Sequence, residues 1–122
     1  MSYFISPREE TDLRVDPQQL AASIRAQWQG AELRFPDDPE DNHAVEWTVW
    51  QQGRHLEGSL DRSCQVIHLV GDVEDCAHFA TWYRSIVPGR YPLAFYDEGY
   101  SADVDLKGNT SAAELTEPFL VH

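Results

Sequence analysis

Residues 44–60 read AVEWTVWQQGRHLEGSL, and their alternation decides the fold. Val45, Trp47 and Val49 point one way along an extended chain; Glu46, Thr48 and Trp50 point the other, because successive side chains of a strand face opposite sides. Gln52-Gly53 is a tight turn. Arg54 to Leu60 continue the pattern, with Leu56 and Leu60 opposite His55 and Glu57. One face of this hairpin is apolar and the other polar, which predicts an antiparallel sheet covered on one side only.

Working outward, Asp61-Arg62-Ser63 reads as a further turn. Cys64 to Val70 is apolar on both sides apart from Gln65 and His68, which predicts a central strand covered on both faces. Gly71-Asp72 ends it and opens a helix to Val87. Asp72 is the N-cap, and Glu74 and Asp75 lie in the first turn, where the helix dipole favours acids. Val73, Cys76, Ala77, Phe79, Ala80, Tyr83, Ile86 and Val87 cover more than half of its circumference, so it is expected deep against the sheet. Leu93 to Tyr96 and Ser101 to Leu106 read as strands around an Asp97-Glu98-Gly99 turn. Ser111 and Glu114 form a capping box for a short last helix.

Upstream, Ala31 to Phe35 is a strand before an acidic, proline-broken loop from Pro36 to Asp41. Asp16, Pro17 and Gln19 open a helix whose buried stripe is Leu20, Ile24 and Trp28 and whose stop is Gly30. Tyr3 to Ile5 is a brief first strand. The order β-α-β-β-β-β-α-β-β-α defines an α+β class: a mainly antiparallel sheet with helices packed on one face, a two-layer sandwich whose other face is open.

The 122 residues carry 21 Asp and Glu against 9 Lys and Arg, a formal charge of −12, and 42% are hydrophobic. That composition supplies one core and a single domain over residues 1–122. Lys107 is the only lysine and the eight arginines are scattered singly, so there is no basic stripe for a nucleic-acid backbone. An anionic membrane surface would repel the chain. A basic protein is the electrostatically favoured partner, although acidity also serves solubility alone. Met1 to Glu10 lacks the pattern of an export signal, and no apolar run approaches the roughly 20 residues of a membrane span. Cys64 and Cys76 are too few for a disulfide framework and read as free, buried thiols of a cytoplasmic protein.

No catalytic motif or cofactor signature is present. Cys64, His68, Cys76 and His78 nominally make a zinc set, but Cys76 and His78 lie about 200° apart on a helix and cannot converge. No metal is therefore expected. The serines lack a nucleophile elbow, and the seven glycines are isolated, so no phosphate loop forms. His68 is expected as a hydrogen-bonded core residue. His78 and Trp82, one helical turn apart, form a second candidate surface at the border of the buried and polar faces.

One constellation stands out. Glu46, Thr48 and Trp50 share the polar face with His55 and Glu57, and Asp103 and Asp105 join them if the last hairpin enters the same sheet. An aromatic beside carboxylates on an open face supplies apolar area together with charge selectivity. In size, charge and expected architecture the chain resembles bacterial immunity proteins that neutralise toxins, especially nucleases with basic clefts. The resemblance is one of type and implies a non-enzymatic binding protein that captures a basic partner. The alternatives are a self-associating homodimer through Trp50, or a ligand-binding or enzymatic domain with a pocket between the 72–87 helix and the sheet.

Overall fold

The structure, a computed structural model, describes residues 1–38 and 40–120; Pro39 of the expected acidic loop lies outside them. Among these residues seven strands form one antiparallel sheet: β1 (Ser2–Pro7), β2 (Glu32–Arg34), β3 (His43–Gln51), β4 (Arg54–Asp61), β5 (Ile67–Val70), β6 (Leu93–Asp97) and β7 (Asp103–Leu106). Their order is β2-β3-β4-β5-β1-β6-β7. Three helices, α1 (Pro17–Gln27), α2 (Val73–Ile86) and α3 (Ala112–Leu120), pack on one side. The α+β two-layer architecture is thus as the alternation predicts.

Local chemistry sets the helix ends. The Asp16 carboxylate accepts from the amides of Gln18 and Gln19, and Pro17 occupies the first turn of α1. Asp72 accepts from the Glu74 amide at 2.9 Å to start α2. Ser111 and Glu114 exchange side-chain and backbone hydrogen bonds to start α3. Helix α1 ends before Gly30, at Gln27 with Trp28 as its C-cap; Gly30, at φ +80°, serves the turn that follows. Arg84 closes α2. Its buried guanidinium donates to the carbonyls of Val87, Pro88 and Tyr91, and more distantly to Leu106, tying the helix end to β7. Burial lowers the pKa of this unpaired cation.

The inward side chains of five adjacent strands carry the core: Val45, Trp47 and Val49; Leu56 and Leu60; Ile67 and Leu69; Tyr3 and Ile5; Leu93 and Phe95. Phe79 of α2 stacks between Trp47 and Trp28, with ring centroids 5.5 and 5.3 Å away. Two expectations change. The strand expected from Cys64 is only Ile67–Val70, because the Asp61 carboxylate accepts from the amides of Gln65 and Val66 and holds residues 61–66 in a turn. That strand is covered on its helix side only, and Val70 is exposed on the other. Asp97 is no simple turn residue. It ends β6 buried, accepting from the Ser101 amide at 2.7 Å and from its hydroxyl. Burial opposes its charge, but these bonds outweigh that and hold its pKa below the ordinary value.

Candidate functional site

Among the described residues no helix covers the second face of the sheet. The register aligns one residue from every strand across it: Arg34, Glu46, Ser59, His68, Phe4, Tyr96 and Asp103. At its centre His68, Phe4 and Tyr96 stack, with centroids 4.7 and 5.5 Å apart, and Tyr100 extends the stack. A second row on the same face sets Glu32, Thr48, Glu57 and Val70 side by side, and a third pairs Trp50 with His55. Trp50 and His55 meet edge to face at 5.0 Å.

The face therefore holds every residue of the predicted constellation, but not as one patch. Glu46, Thr48, Trp50, His55 and Glu57 are neighbours on β3 and β4. Asp103 and Asp105 lie on β7, five strands from β3, or about 24 Å at ordinary strand spacing. They are also already engaged. Arg8 donates from Nε to Asp105 at 2.7 Å and from its two terminal nitrogens to both oxygens of Asp103. These carboxylates raise the Arg8 pKa.

Glu46 is engaged as well. Arg34 donates to one carboxylate oxygen at 2.9 Å, and His43 Nδ1 lies 2.6 Å from the other. Asp41 completes this cluster: one ligand-type atom each from Asp41, His43 and Glu46 falls within 4.8 Å of the others. The donor types suit a metal, yet Arg34 already supplies the positive charge, bonded to Glu46 and 4.0 Å from Asp41. The geometry is that of an ion-pair network. Glu32 and Glu57 differ: among the described residues neither carboxylate has an ion pair or a side-chain hydrogen bond.

Glu32, Thr48 and Glu57 line an open concavity of about 500 Å³, with Arg34, His43 and Glu46 at one side and Ser59 and His68 below. His68 is not the hydrogen-bonded core residue expected. It points to the open face because Ile67 and Leu69 take the core side. Its Nε2 is buried without a partner, and burial, then the nearby His43, lower its pKa. The aromatic row of Phe4, Tyr96 and His68 was missing from the sequence-based constellation. The alternation Tyr3-Phe4-Ile5 carries that signal, since Phe4 opposes two core residues.

His78 and Trp82 occupy a separate place. Trp82 packs edge to face on Trp28 at 4.8 Å, and with exposed His78 it borders a shallow concavity of about 510 Å³ on the helix side. The residues of the nominal zinc set lie apart: Cys64 is in a turn, Cys76 in the core and His78 exposed. Where a pocket between α2 and the sheet was the alternative, Cys76, Phe79 and Tyr83 are fully buried in the core. Among the described residues no helix is long and apolar enough to cross a membrane. Neither a family model, nor a curated protein, nor a solved structure matches the chain.

Proposed function

We propose that this chain is a non-enzymatic binding protein that captures a basic protein partner on the open face of its sheet, in the manner of immunity proteins that neutralise toxins. The observation that carries this reading is the placement of Glu32 and Glu57, both without a cation partner among the described residues, with exposed Trp50 beside them on the face away from the helices. The two free acids attract and select charge, while Trp50 offers area that excludes water from a formed complex. The chain's charge of −12 extends the attraction beyond contact range. Affinity capture from the native host with the wild-type chain, and with a Trp50→Ala, Glu57→Gln variant, tests it. A basic protein held by the first and lost by the second supports the reading; equal recovery overturns it.

A second reading follows from the same face. Trp50, Val70 and Tyr100 are exposed large apolar side chains at this face, and two copies can bury them against one another. Mass that rises with concentration in the wild type, and stays monomeric in Trp50→Ala, would favour self-association.

A further inference from the structure

We infer that the concavity formed by Glu32, Thr48, Glu57, Ser59 and His68 receives the guanidinium of an arginine side chain presented by the basic protein partner. This deepens the proposed function and rests on it.

The floor of the concavity carries unsatisfied polar groups. Ser59 is only 5% exposed and lines the hollow, and none of the side-chain hydrogen bonds among the described residues uses its hydroxyl, which stays open to the hollow. Beside it in the seven-strand row, His68 Nε2 is buried without a partner. Buried polar atoms in a folded chain are usually bonded, so such groups in a lined hollow point to a ligand. The walls add Glu32 and Glu57 on either side of Thr48.

All five groups can accept a hydrogen bond. A neutral imidazole has one acceptor nitrogen, hydroxyls accept through two lone pairs, and carboxylates only accept. Because the two carboxylates only accept and carry charge, the matching ligand is positive and rich in donors. An arginine head is planar, with five N–H donors spread over a fork, whereas a lysine head is a compact point with three. The acceptors here span two rows of one face, about 7 Å apart, which favours the fork. The same rim already shows such a grip: Arg34 lies on Glu46 at 2.9 Å. Because Arg34 is held there, the neighbouring acids keep their charge for an outside cation.

The test uses the isotope-labelled full chain at low salt, titrated with acetyl-Gly-Arg-Gly-amide and its lysine and citrulline counterparts. The arginine peptide is expected to move the amide signals of Thr48, Glu57 and Ser59, and to bind at least fivefold more tightly than the lysine peptide. The uncharged citrulline peptide leaves them in place. Glu32→Gln with Glu57→Gln weakens binding at least tenfold, and Ser59→Ala weakens it about fivefold, the loss of one hydrogen bond. Should the double variant lose its fold, Glu57→Gln alone carries the same comparison. Equal arginine and lysine affinity at these residues overturns the arginine assignment while leaving capture of a basic partner intact. Movement confined to other surfaces, or none at all, also overturns it, and the fate of the functional reading is then read separately from host capture.

Discussion

Trp47 and Trp50 stand three residues apart on β3 and face opposite sides of the sheet, one 3% and the other 38% exposed. Trp47 lies in the core against Phe79; Trp50 meets only the edge of His55 among aromatic rings. Trp47→Ala should therefore cost about 3–5 kcal/mol in denaturant melts. Trp50→Ala should cost under about 1 kcal/mol. Comparable losses would contradict a sheet covered on one side.

Gly58 sits opposite Trp47 on β4, and a Cβ there would lie 2.3 Å from the indole Nε1. The strand has glycine at this point because the indole lies across its backbone. Gly58→Ala should lower stability by about 1–3 kcal/mol through overpacking. Adding Trp47→Phe shrinks the ring, so the double variant should lose less than the sum of the two single losses. Strict additivity, measured by a thermodynamic cycle, would contradict the contact.

His68 gives a pH dependence of definite sign. Burial holds its folded pKa below the ordinary 6.5, so the unfolded chain takes up a proton first as pH falls. Stability from this group is complete above about 6.5 and is lost below it, down to the folded pKa. Melts between pH 7.5 and 5.5 should show wild type losing more stability than His68→Gln. Parallel curves would mean that His68 titrates freely.

The two thiols should separate in reactivity. Burial pushes Cys76 up to about 12, and burial also raises half-buried Cys64. With iodoacetamide at pH 8, Cys64 should label first and slowly, and Cys76 only as the chain unfolds. Equal labelling rates in the native protein would contradict the core position of Cys76.

Features set by local period were readable in the sequence. Alternation from Val45 to Leu60 placed both tryptophans, and the Asp16, Asp72 and Ser111 caps stand where expected. Features set by distant pairing were not. The strand at Ser2–Pro7 lies mid-sheet between β5 and β6, a choice made by residues more than sixty positions away. Arg8 reaches Asp103 across 95 positions, and exposed Arg54 finds buried Asp75 at 2.8 Å. No spacing rule announces such pairs, so the acids engaged internally could not be told from those left free. For the candidate site, alternation placed Glu46, Thr48, Trp50, His55 and Glu57 on one face, as the register has them, whereas the ion pairs moved the emphasis from Glu46, Asp103 and Asp105 to Glu57 and to Glu32.

Capture of a basic protein on the open face has a kinetic signature. Its most direct measurement is the association rate of the protein recovered by host capture, followed from 0.01 to 0.15 M salt. Over that range the screening length falls from about 30 to about 8 Å. The account predicts that wild-type association slows steeply with salt. Glu32→Gln with Glu57→Gln should flatten the dependence without loss of fold, and Trp50→Ala should chiefly speed dissociation. Salt-independent association, or binding that survives these variants and fails in His78→Ala, Trp82→Ala, would contradict it and place the working surface at the helix edge.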